Sequence, residues 1–249
     1  MFTDTHCHLY KEYYEDVSKI LLNAKEASIT RFIVAGCDNK SNKEVLELTK
    51  KNPSIYGALG IHPENVQDFK SEDLTFLEKA LQNKKVIAIG EIGLDYHYGK
   101  EDKERQQKLF ESQLCLAEKY HLPVVIHSRD ATQDTVDILK KYPLVKGVIH
   151  SFSGSLEVAK IYIKMGYKLG INGVVTFRNS HLKELLPYIK NDIILETDSP
   201  YLTPHPYRGT RNEPKYVKNI AEFVSEYLNI SIEELSEITN KNILSLFDI

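Results

Sequence analysis

Val86-Ile87-Ala88-Ile89-Gly90-Glu91 and Val124-Val125-Ile126-His127 share one design, a short apolar run rich in β-branched residues that ends in a chemically active side chain. Phe32-Ile33-Val34-Ala35-Gly36, Val148-Ile149-His150 and Ile193-Ile194-Leu195-Glu196 repeat it. A strand with one wet face alternates apolar and polar residues, whereas a parallel strand covered on both faces is apolar throughout. Three less uniform stretches, residues 2–9, 55–61 and 167–175, keep the same rhythm and bring the candidate strands to eight.

Between these runs the period becomes helical. Val17, Ile20, Leu21 and Ala24 line one face, as do Phe110, Leu114 and Ala117 within residues 101–120. Val217, Ile220, Ala221 and Val224 follow Pro214, and Ser231 with Glu234 has capping-box spacing for one more helix near the C-terminus. Eight units in 249 residues average about 31 each, the length of a strand–helix–strand repeat. We therefore expect one domain over residues 1–249, an α/β chain folded as a (β/α)8 TIM-like barrel with an extra C-terminal helix. A doubly wound open sheet is the competitor, because alternation does not show closure.

The composition is 42% hydrophobic and 27% charged, which excludes a disordered chain. Lys and Arg number 32 against 35 Asp and Glu, a net charge of −3, so a broadly basic nucleic-acid-coating surface is excluded. Cys7, Cys37 and Cys115 are too few and scattered for a disulfide framework. Free thiols, the lack of an apolar run of about 20 residues and a start without a basic n-region lead us to expect a cytoplasmic protein with no membrane segment. The sequence leaves the oligomeric state open, with a monomer compatible.

The strand exits carry the chemistry. His6-Cys7-His8 places two imidazoles on one side of the first strand and Cys7 on the other. Glu91 closes strand four, His127 strand five, His150 strand six and Asp198 strand eight. In a barrel all these ends meet on the C-terminal face, where barrel enzymes place their sites. Burying so many unpaired imidazoles and carboxylates would be costly, so packing is a poor explanation for the set. Six donors exceed the four of a closed zinc site, and a carboxylate can bridge two cations. We expect two divalent ions, magnesium, manganese or zinc, in the arrangement of phosphatases and nucleases. Glu91, Asp198 and a bridging hydroxide would leave such a pair with a net charge of about +1, which suits an anionic phosphodiester.

These residues carry a family resemblance. Asp4-Thr5-His6-Cys7-His8-Leu9, Gly60-Ile61-His62-Pro63, Gly90-Glu91-Ile92-Gly93-Leu94-Asp95-Tyr96, His127-Ser128-Arg129-Asp130-Ala131 and His150-Ser151-Phe152-Ser153-Gly154 are similar to the motifs of the TatD-type metal-dependent deoxyribonucleases. So are Val175-Thr176-Phe177, Glu196-Thr197-Asp198-Ser199-Pro200-Tyr201-Leu202 and Arg208-Gly209-Thr210-Arg211-Asn212-Glu213-Pro214, and the match runs from residue 2 to Phe247. The resemblance implies a barrel of the amidohydrolase superfamily and magnesium-dependent 3′→5′ exonuclease action on DNA, with a preference for single strands or strand ends. Carried over by position, it implies that His6, His8, Glu91 and Asp198 hold one ion, and Glu91, His127 and His150 the other. The chain departs from the family pattern at Ser151, where cysteine is frequent, at Glu64, where a second histidine is common, and at His205, often apolar.

The expected reaction is in-line attack of metal-activated water on phosphorus, with Asp198 as ligand and base, Glu91 as shared ligand and His62 as donor to a phosphate oxygen or leaving group. Arg208 is expected to grip phosphate, with Asn212 and Tyr201 as further substrate contacts. Tyr201, Tyr207, Phe152 and Phe177 are stacking candidates whose default is packing. Asp95 and His97 follow Glu91 closely enough to support the ligands from behind. Arg129 serves either phosphate or Asp130. His121, His181 and the pairs Lys50-Lys51, Lys84-Lys85 and Lys140-Lys141 read as solvated groups at helix ends. The rival readings are a binuclear amidohydrolase acting on a lactone, amide or phosphotriester, and a non-catalytic barrel scaffold.

Overall fold

The computed structural model describes every residue except Tyr98 and Lys100. Its strands are β1 (Phe2–Cys7), β2 (Ile29–Ala35), β3 (Ile55–Leu59), β4 (Val86–Asp95), β5 (Val124–Arg129), β6 (Gly147–Ile149), β7 (Lys168–Ile171) and β8 (Ile193–Leu195). They pair in parallel and in chain order. The helices are α1 (Val17–Glu26), α2 (Asn39–Lys51), α3 (Ser71–Ala80), α4 (Lys103–Tyr120), α5 (Thr132–Leu139), α6 (Leu156–Lys164), α7 (Leu182–Ile189), α8 (Val217–Leu228) and α9 (Ile232–Leu246). The expected start at Ser231 holds, its hydroxyl accepting from the Glu234 N–H at 3.0 Å, and Asp16 caps α1 by accepting from the Lys19 N–H.

What separates barrel from open sheet is the seam between first and last strands. Cys7 bridges in parallel to Ser199; the Asp198 N–H donates to His6 O at 2.9 Å and the His8 N–H to Ser199 O at 2.8 Å. The sheet closes through the segment just beyond β8, which excludes the doubly wound alternative.

Closure also explains the unbroken apolar runs. Phe32 and Val34 of β2, Val124 and Ile126 of β5, and Ile193 and Leu195 of β8 pack in the large core beneath the helices. The alternate residues Ile33, Val125, Val148 and Ile194 join Ala58, Ile87 and Ala88 in a separate cluster inside the barrel. Ile243 and Phe247, from the end of α9 and just beyond it, pack into that cluster from the N-terminal side of the strands. Each of the larger side chains so buried contributes about 1.5–3 kcal/mol, and together they form a dry floor under the site.

One expectation is corrected here. Lys84-Lys85 ends no helix: it lies in the turn between α3 and β4, where Lys85 Nζ stands 4.0 Å from the centre of the Tyr56 ring.

Candidate metal centre

One step above this floor, on the same strand faces, the side chains turn polar. Two residues beyond Val125, Val148 and Ile194 come His127, His150 and Glu196, while β1 contributes Asp4, His6 and, just past its end, His8. The local placement differs from the sequence expectation in detail. His8 is one residue beyond β1, Glu91 sits in the middle of the ten-residue β4 instead of at its end, and Asp198 lies three residues past β8. Asp198 has φ 56°, a left-handed conformation that aspartate tolerates better than most residues. Its peptide is held in place: Asp4 accepts from the Thr197 N–H at 2.9 Å and from the Thr197 hydroxyl at 2.6 Å, and Asn212 Nδ2 donates to Thr197 O at 2.8 Å.

All six expected ligands converge. His6 Nε2 and His8 Nε2 face each other at 3.1 Å. Glu91 Oε2 lies 3.3 and 3.7 Å from these two nitrogens, and Asp198 Oδ1 3.6 and 3.5 Å. The other Glu91 oxygen, Oε1, is 2.9 Å from His127 Nδ1 and 3.6 Å from His150 Nε2. Glu91 therefore turns one oxygen toward each half of the cluster.

The outer nitrogens show how the imidazoles are oriented. His8 Nδ1 faces Tyr10 Oη at 3.1 Å and Ala35 O at 3.3 Å, and since a carbonyl only accepts, Nδ1 donates there and Nε2 is the nitrogen turned to the cluster. His127 Nε2 is 2.9 Å from Asp95 Oδ2, and His150 Nδ1 is 3.0 Å from Glu196 Oε1, which also accepts from the Ser151 N–H at 2.7 Å. Each of these three histidines thus has an acceptor behind it and a nitrogen aimed at the centre, the arrangement that fixes tautomers of metal-binding histidines. His62 is reversed. Its Nδ1 accepts from the Glu64 N–H at 3.2 Å, so the proton sits on Nε2, 3.5 Å from Glu91 Oε1.

Two glycines make this supporting layer possible. A Cβ on Gly93, at φ 144°, would come within 1.9 Å of His127 O, and one on Gly170 within 2.3 Å of Glu196 Oε2.

The electrostatics fit a cation-binding cluster. Burial raises the Glu91 carboxyl, but the imidazoles of His150, His62 and His6 outweigh it and hold the group well below the usual carboxylate range. Burial lowers His150, yet Glu196, Glu91 and Asp198 push it up to about 10; His127, between Asp95 and Glu91, rises to about 9 in the same way. His6 goes down, through burial and then the neighbouring His150. A proton can satisfy one facing pair of nitrogens, whereas a divalent cation satisfies several converging lone pairs at once. Three overlapping sets can hold an ion: His6, His8 and Asp198; His6, Glu91 and His150; and His62, Glu91 and His127, with Cys37, His8 and Glu91 as a fourth. The His62 tautomer speaks against its serving as a ligand in the third set.

The cluster opens into a cavity of about 550 Å³, lined also by Tyr10, Tyr13, Lys40, Arg129 and Tyr201. Tyr201 thus stands where the sequence placed it, with its hydroxyl 2.8 Å from that of Tyr13. Asn212 does not line this cavity: it is fully buried, and its Nδ2 donates to Thr197 O and Tyr201 O. Arg208 is on the exposed rim, its guanidinium 3.9 Å from the centre of the Phe177 ring. Phe152 packs inside on Tyr162, and His97 pairs with Asp130 at 2.9 Å. Tyr10, Asp4 and Glu196 were assigned no role from the sequence. The signal for Asp4 and Glu196 was there: each lies two residues from a site residue or floor residue, hence on the same strand face.

The model of the family described as TatD related DNase matches residues 3–248. The chain belongs to this family. A relative from Bacillus subtilis, named uncharacterized metal-dependent hydrolase YabD, is 42% identical with all of both chains covered. The crystal structure of the TatD homologue YjjV from Escherichia coli superposes with a TM-score of 0.94 at 32% identity, covering 100% of this chain and 98% of that one. A TatD-family hydrolase from Entamoeba histolytica gives 0.90 at 25% identity, covering 99% and 98%. This TatD-family chain therefore combines the fold of its relatives with the side-chain set of a metal-dependent hydrolase. Among the described residues no helix is long and apolar enough to cross a membrane.

Proposed function

We propose that this TatD-family chain is a metal-dependent deoxyribonuclease that removes nucleotides from the 3′ end of single-stranded DNA in the cytoplasm. The observation that carries the reading is the division of Glu91, one oxygen toward His6 and His8 and the other toward His127 and His150. Such a carboxylate can be shared by two ions, the first with His6, His8 and Asp198 and the second with His127 and His150. Magnesium, manganese and zinc all suit this donor set. Two bound divalent ions would lower the pKa of water and offset the charge of the phosphodiester.

The chain's own groups supply the rest. Asp198, partly exposed at the cavity floor, orients the attacking water and accepts its proton. His62 Nε2–H, held in that tautomer by the Glu64 backbone, donates to the leaving oxygen. Asp95 and Glu196 hold the His127 and His150 rings. Tyr201 and Tyr13 offer rings against which an unpaired terminal base stacks, and Arg129, which lines the same cavity, meets a phosphate. Arg129 on the cavity wall favours a diester over the neutral lactone or amide of the rival reading. Three unpaired cysteines support a reducing compartment.

The test is to incubate chelated and metal-restored protein with a 5′-labelled single-stranded oligonucleotide, using Glu91→Ala as the contamination control. The expected result is a metal-dependent ladder shortening from the 3′ end and missing in the variant. Folded, metallated protein that cleaves nothing would overturn the reading in favour of a lactone or phosphotriester substrate.

A further inference from the structure

The rim of the cavity has two electrically different sides, a contrast that comes from the sequence and is assembled by the fold. Residues 172–181 and 199–212, in the loops following β7 and β8, contain no aspartate or glutamate; Glu196, Asp198 and Glu213 lie in the second loop outside that stretch, and Glu184 follows the first in α7. They carry Arg178, Arg208 and Arg211, half of the six arginines in the chain. From the segments after β2 and β3, Asp38, Glu44 and Glu64 line the cavity; Glu12, next to Tyr13, lines it too and is paired with Lys40 at 3.2 Å.

The basic side is one connected surface. The His205 N–H donates to the Thr176 hydroxyl at 2.8 Å, which ties the two loops together. Arg208 lies over Phe177, the neighbour of Arg178 in the chain. Arg211 donates to Tyr13 O and stands 5.8 Å from the centre of the Tyr14 ring. Tyr13 in turn meets Tyr201 at the cavity mouth. A path of cations and rings thus runs from the cavity through Tyr201, Tyr13 and Arg211 to Arg208, Phe177 and Arg178. Tyr207 stands beside it, exposed, with its ring centre 4.8 Å from that of Tyr216.

Resting on the nuclease reading above, we propose that the single strand leaves the cavity in one direction only, across the β7 and β8 loops. Arg211, Arg208 and Arg178 hold successive phosphates, while Phe177 and Tyr207 support unpaired bases. A planar guanidinium presents five N–H donors and binds phosphate in a forked geometry, so an arginine with one donor committed to the protein still has others for an oxygen. Rings interleaved with arginines suit a strand whose bases are unstacked from a partner, since every base has a face to stack. The acidic side repels the same backbone, which makes the path directional.

The test uses the metal-loaded full chain and 5′-labelled DNA strands of 2 to 12 nucleotides at several salt concentrations. For the unaltered protein KM falls as the strand lengthens, with a salt dependence that reports the phosphates held. Arg178→Glu with Arg211→Glu raises KM on the 12-mer by about tenfold or more, and lowers the salt slope by about 0.7 for each phosphate no longer held. Arg178→Lys with Arg211→Lys recovers most of the affinity, which a misfolded loop would not. An unchanged KM and slope in the glutamate variant overturn the path, and a duplex 12-mer bound as tightly as the single strand overturns the stacking. If the unaltered protein cleaves no strand, the nuclease reading fails by itself. Fluorescence anisotropy of the labelled 12-mer on the same variants then decides the path, which survives only if the glutamate variant loses binding.

Discussion

Val125 and His127 lie two residues apart on the same face of β5, as do Val148 and His150 at β6 and Ile194 and Glu196 at β8. One layer is apolar, dry and covered from below by α9; the other, a single pleat higher, holds buried imidazoles and carboxylates. The lower layer stabilises the fold by removing apolar area from water. The upper layer holds charges whose burial is offset only by their mutual attraction, so each depends on its partners being in place. The comparison teaches that stability and chemistry are divided along each strand, with the boundary falling between consecutive inward positions.

The largest expected effect is Glu91→Ala. Metal-dependent hydrolysis should fall by more than the factor of about 10²–10⁴ that one proton donor contributes, because both halves of the cluster lose a ligand. The metal-free variant should melt below the parent, since the buried imidazoles of His127 and His150 lose the carboxylate that offsets their charge. An unchanged Tm would mean that the charges of the upper layer do not hold one another.

His62→Gln comes next. It should lower kcat by about 10²–10⁴ on a nucleotide leaving group but far less on a p-nitrophenyl diester, whose leaving group needs no proton. Metal content, read by atomic absorption, should stay at the parent value; a missing ion would make His62 a ligand instead of a donor.

Ile194→Ala tests the lower layer and should destabilise the protein by about 2–5 kcal/mol. Denaturant melts give the loss directly, while the fraction still folded keeps its metal and its hydrolysis. Smallest is Glu196→Gln, for which metal affinity should drop about 10–100-fold as the ring of His150 loses its anchor. A cobalt titration should show the site containing His150 weakened and the one containing His6 and His8 retained. Equal weakening of both would mean that Glu196 acts on the barrel as a whole.

Much of this was legible in the amino-acid order. The uninterrupted Val86–Ile89 and Val124–Ile126 runs announced strands buried on both faces, and the ligand types at their ends announced a cation site. The six metal-capable residues are brought together as their positions implied. Illegible were the roles of residues that act through others. Asn212 sits in a polar loop and reads as a substrate contact, yet it is buried and bonds to the loop that carries Asp198. Arg208 reads as a phosphate grip; the sequence did not show that it stands outside the cavity lining, against Phe177.

By itself the sequence determined the periodicity of the elements, the family motifs and the chemical identity of the cluster. These depend on local preference and on side-chain type, and both are written residue by residue. Only the tertiary structure decided that the sheet closes, that Glu91 faces both halves of the cluster, and that His62 has a donor behind its ring where His8, His127 and His150 have acceptors. Closure depends on a seam between residues almost two hundred positions apart, such as Cys7 and Ser199. The tautomers depend on acceptors such as Ala35 O and Glu196 and on a donor, the Glu64 N–H, that meet each imidazole only once the strands have been assembled.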